Sequence, residues 1–225
     1  MSDIVLHHCP QTRSMRSLWL LYELEVPFQI ALHSFDQSLR DPAYLALSPA
    51  GRVPALEIDG ERMFETGAIT EYLCERFPEA GLGRDSGNPD RMAWLVWVHF
   101  AETISQHVAA LTQQHIMLRE DWMRSPTVMK LEVARLSKCY DAIEARLSTP
   151  IENRDMLLTS GFSAADISVG QAVYLGQKFC TLDNHPSTAT WFARLTEREA
   201  FQASLPGEGA GLYQQDFYPA WDAPK

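Results

Sequence analysis

The chain has 225 residues, of which 46% are hydrophobic and 21% are charged, the composition of an ordinary globular protein with a sizeable core. Its net charge of −10 at pH 7 argues against nucleic acid or an anionic membrane surface as a partner. No apolar run approaches the roughly 20 residues that a membrane-spanning helix needs. The four cysteines lie far apart, without zinc or disulfide spacing, so we expect a reducing, cytoplasmic location.

The first part of the chain has the pattern of a strand, a helix and a second strand. Residues 4–7 are a short apolar run, residues 16–24 carry leucines at helical spacing, and residues 28–32 follow the break at Pro27. These elements predict a βαβ unit with a right-handed crossover. A weak helix is predicted over residues 42–47.

Residues 48–60 have the pattern of a turn, a strand and a tight hairpin. Pro54 precedes the apolar strand, where its missing N–H removes no ladder bond, and a proline at such a junction is sometimes cis. The pair Asp59-Gly60 is a strong signal for a two-residue hairpin loop. Thr66 is the predicted N-cap of the helix that follows.

Val53, Glu65 and Thr66 together predict a binding surface for a short peptide. If Pro54 is cis, the backbone groups of Val53 face outward, and an extended peptide can pair with them as an added strand. The helix start beside Thr66 offers N–H groups to a carboxylate, and Glu65 suits an ammonium group. A carboxylate and an amine on one carbon form the head of an amino acid, so we expect a peptide ligand that carries one.

A change in composition divides the chain into two predicted domains. Residues 81–89 are glycine-rich and unpatterned, which indicates a linker between domains at residues 1–80 and 90–225. The first domain orders its elements βαβ and then ββα, as in the thioredoxin fold. No strand pattern follows the linker, so the second domain is predicted to be all-helical. Its helices are predicted over residues 90–118, 126–147, 167–175 and 188–198, with a loop over residues 153–160.

Three motifs resemble those of cytosolic glutathione transferases. They are Arg52-Val53-Pro54, Glu65-Thr66 and the N-capping motif Phe162-Ser163-Ala164-Ala165-Asp166-Ile167. The resemblance covers about residues 4–200, with the motifs in the family's order and spacing and Thr66 in place of the usual serine. It implies a thioredoxin-like N-terminal domain, an all-helical C-terminal domain, a homodimer, and glutathione as cosubstrate without a metal.

The resemblance also implies roles for residues at the binding surface. The backbone of Val53, next to Pro54, would hold the cysteinyl part of glutathione. Glu65 and Thr66 would hold its γ-glutamyl part. Arg40 and Arg52 are candidates for binding the glycyl carboxylate.

Three residues around the start of the first predicted helix are candidates for lowering the pKa of the glutathione thiol, which a hydroxyl or thiol near a helix N-terminus can do. Thr12 falls at the position that resembles the catalytic Ser or Cys of theta- and beta-like classes, as in bacterial members. Cys9 falls at the position that resembles the catalytic Cys of omega-like members, and Ser14 lies one step into the helix. A hydroxyl donor is favoured because Cys9 has no resolving cysteine at position 12, but all three stay open.

A second ligand, the electrophile, is expected between the two domains. The resemblance places one wall of its site on the first long helix of the second domain. Histidines recur there every eight residues, yet no further ligand completes a metal site. The candidate residues of this wall are His99, Thr103, Ser105, Gln106 and His107.

The sequence therefore predicts a glutathione S-transferase that activates the glutathione thiol for attack on a small electrophile. One alternative is a glutathione-dependent thiol/disulfide or dehydroascorbate reductase, in which Cys9 forms a mixed disulfide. Another is a non-catalytic member of the fold that binds a protein partner.

Overall fold

The computed structural model describes residues 3–149 and 155–220; residues 153 and 154 of the predicted loop lie outside these ranges. The chain divides into two compact units. The first unit comprises Met1–Trp94 and Thr196–Leu212, and the second comprises Leu95–Leu195 and Tyr213–Lys225. The division at residues 81–89 inferred from sequence stays a prediction.

The first unit contains a four-stranded sheet of order β2-β1-β3-β4. β1 and β2 run parallel, and the other two neighbouring pairs are antiparallel. This arrangement confirms the predicted thioredoxin-like fold. The strands are β1 (Ile4–His8), β2 (Gln29–Leu32), β3 (Ala55–Ile58) and β4 (Glu61–Phe64), and the helices of this unit include α1 (Ser14–Glu23), α2 (Pro42–Leu45) and α3 (Thr66–Arg76).

The hairpin between β3 and β4 follows directly from two residues. Ile58 pairs with Glu61, so Asp59 and Gly60 form the whole loop. Both have positive φ, 51° and 86° respectively, as a type I′ turn requires. The predicted two-residue hairpin is therefore confirmed.

α1 is buried along most of its length. Met15 and Trp19 are fully buried and Leu18 nearly so, because α1 packs against β1 and α3. A later part of the chain contributes to the same unit through α8 (Glu199–Ser204). There Phe201 meets the Trp19 ring edge-on, with ring centroids 5.0 Å apart.

The second unit is built from helices, and the residues that the structure describes there include no strand. This confirms the predicted all-helical architecture. The capping box is also confirmed: Ser163 accepts from the Ala165 N–H at 3.2 Å, and Asp166 accepts from the Ser163 N–H at 3.0 Å. The remaining long helices are α4 (Arg91–Thr112), which begins in the first unit, α5 (Pro126–Leu147), α6 (Ala164–Gly176) and α7 (Pro186–Thr196).

The start of α3 differs from the prediction. Thr66 is the first helical residue, and Glu65 is the N-cap, with a φ of 76°. The prediction that Thr66 caps this helix is therefore wrong by one residue, because the chain turns sharply at Glu65 as it leaves β4. Within residues 3–149 and 155–220, no helix is both long enough and apolar enough to cross a membrane.

Candidate functional site

Strand register brings the three predicted site segments to one end of the sheet. His7, near the end of β1, pairs with Ala55 at the start of β3. Ala55 in turn pairs with Phe64 at the end of β4. The loop after β1, the Arg52-Val53-Pro54 segment and the Glu65-Thr66 segment therefore start from neighbouring points of the sheet.

Val53 presents backbone groups next to this end of the sheet. The Val53–Pro54 peptide bond is cis. Within the described ranges, neither the N–H nor the C=O of Val53 has a hydrogen-bond partner. Tyr44 holds Arg52, the residue before Val53, because its hydroxyl donates to the Arg52 carbonyl oxygen at 2.8 Å. An extended peptide could pair with Val53 as an added strand.

Glu65 and Thr66 lie at the N-terminus of α3. The Glu65 side chain is exposed and Thr66 is buried. The first N–H groups of a helix have no partner within the helix and carry partial positive charge. An exposed carboxylate beside such a helix end can attract an ammonium group while the helix end attracts a carboxylate.

The hydroxyl of Thr12, in the loop after β1, forms a hydrogen-bonded cluster with that of Ser14, the first residue of α1. Thr12 Oγ1 lies 2.9 Å from Ser14 Oγ, and it donates to the Cys9 carbonyl oxygen at 2.8 Å. Ser14 Oγ accepts from the Cys9 N–H at 3.1 Å and lies 2.8 Å from His8 Nδ1. Ser14 is fully buried, whereas Thr12 is half-buried. Of the two residues, Thr12 is therefore the one that solvent reaches.

The Cys9 side chain is buried, with 2% of its surface exposed. Burial raises the pKa of its thiol to about 11, and the negative charge of Asp36 adds to the increase. A thiol needs a lowered pKa to supply thiolate near neutral pH. Cys9 is therefore a neutral thiol under those conditions.

The arginines predicted to bind the glycyl carboxylate are both exposed. Arg40 ends a 3-10 turn that spans Gln37–Arg40. Arg52 follows Gly51, whose φ of 60° is left-handed. A side chain at residue 51 would also approach the Leu39 carbonyl oxygen to 3.0 Å, so glycine suits this turn.

The residues predicted for the electrophile wall all lie on α4, but they differ in burial. His107 is buried, and its Nδ1 lies 2.6 Å from a carboxylate oxygen of Glu132. This contact joins α4 to α5 within the second unit, which the spacing of histidines did not indicate. Ser105 is also buried, whereas the exposed members are His99, Thr103 and Gln106.

Sequence reasoning did not include His8 and Tyr44 in the site. The period-two alternation of side chains along β1 could have indicated that His8 is buried. His8 shares a face with Ile4 and Leu6, which are both buried, so its ring had to find a polar partner inside the protein. Tyr44 had no comparable signal, because its bond to Arg52 depends on how the turn at residues 48–51 folds back.

Comparison with known proteins agrees with this geometry. The family profile described as "Glutathione S-transferase, N-terminal domain" matches residues 6–81. A glutathione S-transferase of Silene vulgaris is 32% identical over 153 residues, which cover 64% of this chain and 70% of that protein. Glutathione S-transferase 3 of Schizosaccharomyces pombe is 34% identical over 99 residues, 44% of this chain and 41% of that one.

A solved structure extends the likeness to nearly the whole fold. It is a glutathione transferase of Phanerochaete chrysosporium with oxidized glutathione, and it superposes with a TM-score of 0.78 at 20% identity. The match covers 91% of this chain and 94% of that chain. The solved structure shows the likeness in fold, and the family profile and the Silene vulgaris relative show that the chain belongs to the glutathione S-transferase family.

Proposed function

We propose that this protein binds glutathione, lowers the pKa of its thiol and delivers the thiolate to a small electrophile. The thiol proton passes to solvent, and the thiolate lone pair forms the new carbon–sulfur bond. The electrophile then releases its leaving group, or takes up a proton if the attack is an addition. The Thr12 hydroxyl donates a hydrogen bond to the sulfur, and such bonds favour the charged form of the acceptor.

The observation that carries this proposal is the contrast between Thr12 and Cys9. Thr12 is a half-buried residue that carries a hydroxyl beside the start of α1. The Cys9 thiol is buried, and its pKa is raised to about 11. Because a thiol–disulfide reductase needs an accessible thiolate, these features support the transferase over the reductase.

The remaining contacts are assigned by chemistry. The backbone of Val53, next to Pro54, pairs with the cysteinyl residue of glutathione. Glu65 binds the γ-glutamyl ammonium group, and the N–H groups at Thr66 bind its carboxylate. We assign the glycyl carboxylate to Arg52 and Arg40.

Two measurements test this function. Isothermal titration with glutathione should show binding at millimolar ligand or below, and the absence of heat at that concentration would remove the proposal. Thr12→Val should raise the pKa of the bound thiol and slow conjugation of an activated aryl halide about tenfold or more, because it removes a hydrogen bond to a charged atom. Thr12→Ser should keep most of the activity.

Matched variants separate the transferase from the reductase. Cys9→Ala is expected to keep conjugation; loss of a disulfide-reductase activity in this variant, with Thr12→Val unaffected, would favour the alternative. Thr190→Val is the control for removing a threonine hydroxyl. Thr190 is exposed on α7, and its hydroxyl donates to the Pro186 carbonyl oxygen at 2.9 Å, so its loss should leave the rate unchanged.

We also propose a cytoplasmic homodimer, with the electrophile bound along α4. The net charge of −10 and the absence of disulfide spacing support the location. Sedimentation equilibrium should give twice the chain mass of 25.4 kDa. The candidate residues for the electrophile stay His99, Thr103, Gln106 and His107, and alanine variants of the exposed ones should change KM for the electrophile but not for glutathione.

A further inference from the structure

A buried histidine, His8, contacts the pair of hydroxyls formed by Ser14 and Thr12. His8 lies at the end of β1 with 4% of its surface exposed. Its Nδ1 is 2.8 Å from Ser14 Oγ, and Ser14 Oγ is 2.9 Å from Thr12 Oγ1. His8, Ser14 and Thr12 thus form a continuous hydrogen-bonded chain that leads from the interior to the half-buried residue Thr12.

The number of hydrogens in this chain is limited. Each hydroxyl has one hydrogen to donate. Both hydroxyls lie within reach of the Cys9 carbonyl oxygen, Thr12 at 2.8 Å and Ser14 at 3.1 Å. A neutral histidine carries one hydrogen, on either Nδ1 or Nε2. The position of that hydrogen therefore determines to which acceptors the hydroxyls of Thr12 and Ser14 must donate.

If His8 Nδ1 carries no hydrogen, it has to accept the hydrogen of Ser14. Otherwise two lone pairs would face each other across 2.8 Å. The Cys9 carbonyl oxygen then takes the hydrogen of Thr12, which is directed into the loop. In this arrangement Thr12 presents only lone pairs to a sulfur anion.

If His8 Nδ1 carries the hydrogen, the directions reverse. Ser14 Oγ accepts from His8 Nδ1–H and from the Cys9 N–H, which lies at 3.1 Å, so both of its lone pairs are used. Its own hydrogen then goes to Thr12 Oγ1 or to the Cys9 carbonyl oxygen. When it goes to the Cys9 carbonyl oxygen, at 3.1 Å, the hydrogen of Thr12 can turn toward a ligand without leaving that buried acceptor unsatisfied.

We propose that His8 is a positioning residue whose Nδ1–H, acting through Ser14, directs the Thr12 hydroxyl hydrogen toward the glutathione sulfur; this assignment rests on the proposed function. His8 does not touch the substrate and transfers no proton. It sets the direction of the hydrogen bonds in the loop before glutathione binds. The hydroxyl hydrogens therefore do not have to reorient when the thiol reaches the site.

The burial of His8 supports a role in which the ring stays neutral and acts only through the nitrogen that carries its hydrogen. It lowers the pKa of His8 to about 4 against the opposing effect of a hydrogen bond with the Ser14 backbone, so the ring is neutral near pH 7. The neighbouring Cys9 thiol is neutral as well, with its pKa raised to about 11. Neither group adds a charge that would itself shift the pKa of the bound thiol.

The test uses His8→Asn and His8→Phe. The Asn side-chain NH₂ can take the place of Nδ1–H and donate to Ser14, whereas Phe keeps a ring of similar size without a donor. The readout is the pKa of glutathione bound to the full-length protein, followed by thiolate absorbance as the pH is varied. S-methylglutathione, which has no thiol proton, reports binding alone.

We expect His8→Phe to reduce the thiolate fraction of bound glutathione about tenfold at pH 7 while the affinity for S-methylglutathione stays within twofold. His8→Asn should restore most of the thiolate. In a Thr12→Val background, His8→Phe should have no further effect, because the hydrogen that it directs is gone.

Three results would overturn the inference. The first is an unchanged pKa of the bound thiol in His8→Phe. The second is an equal loss of thiolate in His8→Asn and His8→Phe together with weaker binding of S-methylglutathione. The third is that the effects of His8→Phe and Thr12→Val on the thiol pKa add in the double variant. Failure of the proposed function looks different, because the unmodified protein would then bind no glutathione or leave its thiol pKa at the solution value.

Discussion

The Ser14 hydroxyl makes its hydrogen bonds with neighbouring residues of the chain. This hydroxyl contacts Cys9, Thr12 and His8, and none of the Ser14 surface is exposed. A hydroxyl so placed contributes by holding its neighbours, not by meeting a ligand. This supports Thr12 as the donor to the sulfur and Ser14 as part of its support.

At the residue scale, the buried His8 should make the protein sensitive to acid. Burial lowers its pKa from the ordinary 6.5 to about 4 in the folded protein, so only the unfolded chain takes up this proton between those values. The free energy of unfolding should therefore fall as the pH drops from 6.5 to 4, by about 3 kcal/mol from this group. Urea unfolding of His8→Asn should show a smaller fall than the unmodified protein.

The comparison at pH 7.5 provides the baseline for this experiment. His8 is neutral in both states there, so any difference between the two proteins reflects packing and hydrogen bonding. A stability difference that stayed constant from pH 7.5 to 4.5 would contradict the assignment of the acid sensitivity to His8.

Glu65 gives a second prediction at this scale. If Glu65 binds the ammonium group, Glu65→Gln removes a charge-assisted hydrogen bond and should weaken glutathione binding about tenfold. Isothermal titration measures the change. Glu61→Gln is the matched control, because Glu61 is also exposed and lies at the opposite end of β4; an equal loss in both variants would show a general charge effect.

At the element scale, Asp166 joins three parts of the second unit. Beyond its bond to Ser163, its carboxylate accepts from the Leu157 N–H at 2.9 Å and from Trp191 Nε1–H at 3.0 Å. Burial raises the pKa of this carboxyl group, and these hydrogen bonds oppose the increase. The capping residue of α6 is thus also the contact that holds α7 and the preceding loop.

Two substitutions should separate these roles. Ser163→Ala should lower the free energy of unfolding by about 1 kcal/mol, as for loss of an N-cap. Asp166→Ala should cost at least about 3 kcal/mol, since it leaves several buried donors without an acceptor. Urea denaturation measures both. Asp183→Ala, at an exposed loop position, is the control, and equal costs for Asp166 and Asp183 would refute the argument.

The packing of α6 on α5 depends on a glycine. A Cβ at Gly176 would overlap the hydroxyl of Tyr140, which is fully buried. Gly176→Ala should therefore destabilise the protein by about 1–3 kcal/mol despite the better helix propensity of alanine. Thermal or urea unfolding tests this, and the double variant Gly176→Ala with Tyr140→Phe should recover part of the loss.

At the scale of the whole molecule, glutathione binding should stabilise the folded protein. At a ligand concentration of about 100 times Kd, linkage adds about 2.7 kcal/mol, which corresponds to an increase of several degrees in the unfolding midpoint. Differential scanning calorimetry should show this increase for the unmodified protein and a smaller one for Glu65→Gln at the same concentration. Equal increases in both proteins would place the ligand elsewhere.

The fold could be anticipated from sequence because its signals are local. The β3–β4 hairpin needs only Asp59 and Gly60 in its loop, and the capping box of α6 needs only Ser163 and Asp166. The helix predicted over residues 126–147 has those bounds in the structure, since its capping serine and first-turn proline are adjacent. The resemblance of the Arg52-Val53-Pro54, Glu65-Thr66 and N-capping motifs to one family was sufficient to indicate the transferase architecture.

By itself, the sequence determined the order of elements, the family and the short list of site residues. Only the tertiary structure distinguished among Cys9, Thr12 and Ser14 by burial, and only it joined His107 to Glu132, 25 residues away. It also moved the cap of α3 to Glu65. The physical reason is that solvent exposure, hydrogen-bond partners and pKa values depend on groups that are distant in sequence, whereas turns and caps depend on neighbours.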